Sequence, residues 1–191
     1  HEPFYGYDKI NELLRPKHVE SAVAGIPVEP FSSIEEAVEY VINDDGEVLA
    51  GSAIATNPEK IISAMKDKSV RDTLMTATFR YADGIGVVVT LSRKLKKQIQ
   101  RIPGCELWEA IMEKCGKTDT SVFLVGASSK VLQNTKEKLQ REMSVNICGT
   151  CDGYFNDENV VIDEIVNKQP KVVTVALGSP KQEYFIAKCQ E

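Results

Sequence analysis

Asp83 is the residue on which chemistry could turn. It lies in Arg80-Tyr81-Ala82-Asp83-Gly84-Ile85-Gly86-Val87-Val88-Val89, which reads as a short strand, a carboxylate, two glycines and the start of a helix. Open α/β sheets bind their ligands at the carboxyl ends of their strands, where this residue falls. The glycines permit a tight turn and let a ligand come close to the backbone. A plainer role competes: Asp83 as the N-cap of the helix that follows, with Gly84 in its first turn. The chain has only two histidines, His1 and His18, both in the N-terminal leader. A histidine-based triad or a His-rich metal site is therefore not expected. No Walker A sequence or GxGxxG fingerprint is present, which argues against ordinary NTPase and dinucleotide sites. If there is acid–base chemistry, a carboxylate performs it, and Asp83 is the best placed.

Ser179-Pro180-Lys181-Gln182 is the second such stretch. It predicts a helix start with Ser179 as N-cap, Pro180 at the first helical position and Gln182 completing a capping box. A start of that kind after a glycine-ended strand exposes N–H groups and a positive dipole end, where phosphates bind. Lys181 adds a charge-assisted contact there or faces solvent. Cys148-Gly149-Thr150-Cys151 has the spacing of a redox pair or half a zinc site. Zinc wants a second ligand pair, and neither Cys105 nor Cys115 has a nearby mate. A thioredoxin-like pair opens a helix, whereas this one runs into Asp152-Gly153-Tyr154-Phe155. The basic run Arg93-Lys94-Leu95-Lys96-Lys97, with Arg101 just after, is either a solvated helix face or a patch for a pyrophosphate or an anionic membrane surface.

The elements that must position these residues follow from periodicity and punctuation. With 191 residues, 42% of them hydrophobic and 27% charged, the chain predicts one domain with a real core. The net charge of −5 argues against broad nucleic-acid binding. No apolar run approaches the roughly 20 residues that span a bilayer. The first residues, His1-Glu2-Pro3-Phe4-Tyr5, have no basic start or apolar stretch of a secretory signal. With an odd count of five cysteines, reduced thiols in a cytoplasmic protein are expected.

Residues 1–22 read as a leader or packing arm with a short helix at residues 8–14. Val23 to Val28 gives two extended pieces at an edge, marked by Pro27. Ser32 or Ser33 caps a helix through Ile42, with capping-box spacing to Glu35. Val48 to Thr56 reads as a buried strand, and Pro58 launches a helix carrying Ile61, Ile62 and Met65. Further helices are expected at Val70–Met75, from Val87 into the basic run, and after Pro103-Gly104, where Leu107, Trp108, Ile111 and Met112 face the core. Ser121–Gly126 is a continuous apolar strand, as a sheet buried on both faces demands. A helix from Ser129 to Glu142 follows, with Val131, Leu132, Thr135 and Leu139 on one side. Then come a strand at Val145–Gly149, a helix at Val160–Asn167, a strand at Lys171–Gly178 and a closing helix. Strands alternating with helices predict an α/β, Rossmann-like parallel sheet with helices on both faces, in a single domain.

Six blocks occur here in order: Ala55-Thr56-Asn57-Pro58-Glu59, Tyr81-Ala82-Asp83-Gly84, Arg101-Ile102-Pro103-Gly104, Phe123-Leu124-Val125-Gly126, Asp152-Gly153-Tyr154-Phe155 and Gly178-Ser179-Pro180-Lys181-Gln182-Glu183. Together they resemble the WecG/TagA/CpsF glycosyltransferases (glycosyltransferase family 26) over residues 23–191. The wording is closest to the branch that transfers N-acetylmannosaminuronic acid, with the N-acetylmannosamine branch its near neighbour. The resemblance implies an inverting, metal-independent transferase without cofactor, moving a sugar from a UDP donor to a polyprenyl-diphosphate-linked N-acetylglucosamine in cell-surface polysaccharide synthesis. It implies Asp83 as the general base. The implied substrate site takes in Thr56, Asn57, Gly84, Arg101, Gly126, Tyr154, Gly178, Lys181 and Gln182, with Asn57, Arg101 and Gln182 lining the sugar and diphosphate.

Two departures accompany the resemblance. Ala55 stands where some relatives have threonine, so any hydroxyl role there is absent or moved to Thr56. Relatives continue past the position of Glu191 with a glycine-rich segment and a basic tail that supplies arginines and membrane attachment. The expectation is a chain lacking that tail, from a protein that works at the cytoplasmic face of the membrane, with a homo-oligomer left open. A non-catalytic nucleotide-sugar-binding module is the alternative, and a thiol-dependent protein using Cys148 and Cys151 a third reading.

Overall fold

The computed structural model describes residues 21–190; the expected leader helix at residues 8–14 lies outside them. The described chain is a single α/β domain in which helices surround parallel strands. It opens on a small antiparallel hairpin, β1 (Ala22–Val23) and β2 (Ile26–Pro27). Its turn residues Ala24 and Gly25 have φ of 51° and 78°, the left-handed pair that a two-residue hairpin turn needs.

Helix α1 (Ile34–Val41) starts at Ser33, whose side chain accepts from the Glu36 amide at 3.1 Å. The Glu36 carboxylate accepts from the Ser32 amide at 2.6 Å. The expected capping box on Glu35 thus moves on by one residue. With this phase Ala37 and Val38 face the core; a shift of one residue would swing them aside by about 100°.

The first parallel pair is β3 (Ala53–Thr56) and β4 (Phe79–Ala82), in register Ala53 to Phe79 through Thr56 to Ala82. β3 is shorter than the expected strand from Val48. Gly51 interrupts it at φ 124°, with its backbone pressed against the Thr78 side chain, and Val48 makes only an isolated bridge to Ile42. After β3, Asn57 caps α2 (Pro58–Lys66), with Pro58 in the first turn. The buried face of α2 is Lys60, Ile61 and Ala64, whereas Ile62 and Met65 are exposed. Asp67 ends α2 and caps α3 (Lys68–Thr76) through the Ser69 and Val70 amides, so this helix begins two residues before Val70. After β4 come α4 (Ile85–Leu95) and α5 (Gly104–Lys117).

The second parallel set has the order β6–β5–β7. Its members are β5 (Val122–Gly126), β6 (Ile147–Cys151) and β7 (Val172–Ala176). They are linked by α6 (Ser129–Met143) and α7 (Glu158–Lys168), and α8 (Lys181–Cys189) closes the chain. All five residues of β5 are buried. Val122 and Leu124 join the core under α1, α5 and α6, while Phe123 and Val125 join the one under α7 and α8. That split is what an uninterrupted apolar strand codes for.

β6 starts two residues later than expected because Val145 still serves the end of α6, its amide donating to the Leu139 carbonyl. Gly149 then lies under the Phe123 ring, where a Cβ would stand 2.3 Å from the ring edge. On α6 the buried residues are Leu132 and Leu139, and Val131 faces solvent.

Among the described residues the sheet is not continuous: β3 pairs only with β4, and β7 only with β5. A cavity of about 1470 Å³ separates β3 from β7.

Candidate functional site

The carboxyl ends of β3 and β4 launch two helices side by side. The Thr56 carbonyl accepts from the Asp83 amide at 3.0 Å and the Gly84 amide at 3.4 Å, tying the two exits together. Asn57 turns its side-chain oxygen to the Lys60 amide at 2.8 Å. Gly84 is the N-cap of α4 and forms no side-chain cap. The capping role for Asp83 is therefore overturned: its carboxylate is not directed at the helix it precedes.

Arg101 holds that carboxylate instead. Its Nη2 lies 3.2 Å from Asp83 Oδ1, and its Nε donates to the Asp83 carbonyl. Two points on one guanidinium fix both backbone and side chain, a rigidity that lysine lacks. The pair lies at the surface, with Asp83 22% and Arg101 55% exposed, so it orients more than it stabilises. Oδ2 faces the start of α5, 3.8 Å from where a Cβ on Gly104 would stand, and the Tyr81 hydroxyl is 3.2 Å from the same point. α5 follows Pro103 without a side-chain cap. The amides of Gly104, Cys105 and Glu106 find no acceptor among the described residues. These amides and the dipole behind them favour negative charge at this spot. Burial, then the Asp83 charge, raises the Tyr81 pKa well above the usual tyrosine value, so its hydroxyl stays a donor.

Thr56 is fully buried, with its hydroxyl enclosed and without a partner among the described residues. It contributes its carbonyl, and its hydroxyl is not presented for the role moved from Ala55.

At the other exits the expected capping box is absent. Pro180, not Ser179, is the N-cap of α8, with helix-like backbone angles and no side-chain cap. A capping hydroxyl needs an extended residue immediately before the helix. Here the Gly178 carbonyl takes the Gln182 amide at 2.9 Å, and the Pro180 carbonyl takes those of Glu183 and Tyr184. Most of the amides expected to meet a phosphate at α8 are thus satisfied internally. Lys181 is engaged too: its Nζ donates to the Gly153 carbonyl at 2.9 Å and lies 4.5 Å from the Phe155 ring centre. Tyr154 is 77% exposed on the loop after β6. Gly178 has φ 77° with open space where a Cβ would go.

The cavity between β3 and β7 draws part of this together. Tyr81, Gly104, Gly126 and Gln182 all line it. Asp83 is outside the lining but next to it, its Oδ2 being 3.8 Å from where a Cβ on the lining residue Gly104 would stand, and Thr56, Asn57, Gly84, Arg101, Tyr154, Gly178 and Lys181 also lie outside the lining. Gly126 also serves packing, because a Cβ there would fall 2.2 Å from the Ala176 carbonyl oxygen. Two lining residues form a pair that nothing in the sequence signals. Lys60 Nζ meets Glu183 Oε1 at 2.6 Å, the two being 7% and 0% exposed. Only the docking of α8 beside α2 makes them a pair.

A profile of the Glycosyl transferase WecG/TagA/CpsF family matches residues 21–191. The chain belongs to this family. The match takes in every site residue described above, and membership makes the protein a glycosyltransferase of cell-surface polysaccharide synthesis. A WecG/TagA/CpsF transferase suggests a nucleotide-sugar donor and a lipid-linked acceptor.

Other sequence features take structural roles. Cys148 and Cys151 are free, and their thiols approach different carbonyls, Val122 and Asp152. Both sit within β6 and pack against the same core as Phe123 and Val125, with an irregularity in the β5–β6 pairing at Cys148. Of the basic run, Arg93, Lys94, Lys96 and Lys97 are exposed, and Lys94 donates to the Ala22 carbonyl at 2.6 Å. Among the described residues no cluster of three His, Cys, Asp or Glu side chains offers itself to a metal, and no helix is long and apolar enough to cross a membrane.

Proposed function

We propose that the protein is an inverting transferase that moves N-acetylmannosaminuronic acid or N-acetylmannosamine from a UDP donor to a polyprenyl-diphosphate-linked N-acetylglucosamine at the inner face of the cell membrane. The reading is carried by one observation: Asp83, directly after β4, has a carboxylate that does not cap the helix it precedes and is oriented by Arg101 at 3.2 Å. In a single displacement the acceptor oxygen forms its bond to the anomeric carbon as the bond to the diphosphate breaks. Asp83 takes the acceptor's hydroxyl proton. A base placed in this way is worth about 10²–10⁴ in rate.

The departing diphosphate gathers negative charge, which preorganised donors stabilise without a metal. The unpaired amides at the start of α5, the Tyr81 hydroxyl and the Arg101 guanidinium are the donors at hand. Gln182, and Asn57 one turn from Lys60, are assigned to the sugar.

The test is Asp83→Asn, assayed for transfer from UDP-N-acetylmannosamine and from its uronic acid to a short-lipid acceptor, with UDP affinity measured separately. The expected result is unchanged UDP binding and a loss of transfer of about 10²-fold or more. Wild-type-like transfer by the variant would refute the base assignment. UDP-sugar binding without turnover in the wild type would favour a non-catalytic binding module.

A further inference from the structure

The amide of Gln182 is held in one orientation. Its Nε2 lies 3.2 Å from Glu183 Oε1, the same oxygen that meets Lys60 Nζ at 2.6 Å. Glu183 is fully buried as the partner of that ammonium, and its other oxygen, Oε2, has no partner among the described residues. A carboxylate paired with lysine has only acceptors to offer, so the nitrogen of Gln182 must face it. A flipped amide would set carbonyl against carboxylate. The side-chain oxygen of Gln182 therefore lies on the far side of the amide and has no protein partner among the described residues. Gln182 lines the cavity, as do Lys60 and Glu183. Lys60 is the residue whose amide Asn57 caps at 2.8 Å. One chain of contacts thus runs from the Asn57 turn, through the ion pair, to Gln182.

We propose that Glu183, held by Lys60, is a positioning residue that presents the carbonyl oxygen of Gln182 to the cavity, where it accepts from a hydroxyl or acetamido N–H of the donor sugar. The specificity consequence is direct. An acceptor of fixed orientation discriminates against a sugar lacking that one donor group, whereas a freely flipping amide adapts to either. The ligand half of this proposal rests on the transferase reading above; the orientation half does not.

The test has two arms. In the first, the side-chain amide protons of Gln182 are observed by NMR in the unliganded protein, assigned by their loss in Gln182→Asn. One proton should be shifted and protected from exchange in the wild type, and the two should become equivalent in protection in Glu183→Met, which has no acceptor to offer. Equal, solvent-like exchange of both protons in the wild type would overturn the proposal.

In the second arm, UDP-N-acetylmannosamine is compared with analogues deoxygenated at one position at a time and with the analogue lacking the acetamido group. One of these should lose about tenfold or more in kcat/KM with the wild type, and that loss should shrink to near unity in Glu183→Met. A purely structural role would instead lower activity evenly across the series. Since Glu183→Met leaves Lys60 unpaired, Lys60→Met/Glu183→Met serves as the folded companion, and it should show the same flattened profile. No penalty for any analogue, or an unchanged penalty in both variants, would sink the ligand half. A protected amide proton in a wild type that transfers no sugar would fault the transferase reading while establishing the orientation.

Discussion

Gly84→Ala isolates the contact that sets the two helix starts at the site. Gly84 has φ −92° and ψ 137°, angles any residue adopts, so an alanine there suffers no backbone strain. Its Cβ, however, would stand 2.4 Å from Pro58 Cδ and 3.1 Å from the Asn57 Cα and Cβ. Ordinary contact begins near 3.4 Å, so α2 and α4 must part by about 1 Å, and a proline ring cannot swing aside as a long side chain does. Overpacking of this size costs about 1–3 kcal/mol. The lower entropy of an unfolded alanine returns about 0.4–1 kcal/mol. The net loss of about 1–2 kcal/mol corresponds to a Tm lower by about 2–8 °C for a domain of this length. The same shift separates Asn57 from Asp83, and a misplacement of about 1 Å costs on the order of 10²-fold in rate. Calorimetry and steady-state transfer assays read the two effects, with UDP binding as the check on integrity. A Tm within a degree of wild type together with kcat/KM within twofold would refute the reasoning.

Two other outcomes follow from the structure. Tyr184 donates to the Asp67 carboxylate across α8 and α3, and this bond, followed by the Val70 amide, lowers the Asp67 pKa. A carboxyl depressed in the folded state adds stability that is complete above its unfolded value of about 4 and is lost as pH falls through the folded value. The stability gap between wild type and Tyr184→Phe should therefore be present at pH 7 and close below pH 4 in urea titrations; a gap that widens toward acid would contradict it. Cys148→Ser/Cys151→Ser should keep transfer within twofold of wild type, since each thiol meets a different carbonyl, and a large loss would revive thiol chemistry.

The residues themselves determined much of this protein. Val122–Gly126 had to be a strand buried on both faces because every side chain in it is apolar or absent, and Asn57-Pro58 had to start a helix because one residue caps and the other fits the first turn. The six ordered blocks were enough to mark the family. What local chemistry left undecided was which donors meet which acceptors. Asp83 and Ser179 are both competent caps on paper, yet neither caps, because the backbone places Gly84 and Pro180 at those helix starts. The Lys60–Glu183 pair joins residues 123 positions apart, and the gap between β3 and β7 arises from how two parallel sets sit together. Periodicity reports the face a residue presents, but a partner distant in the chain is selected only when packing brings the two elements together.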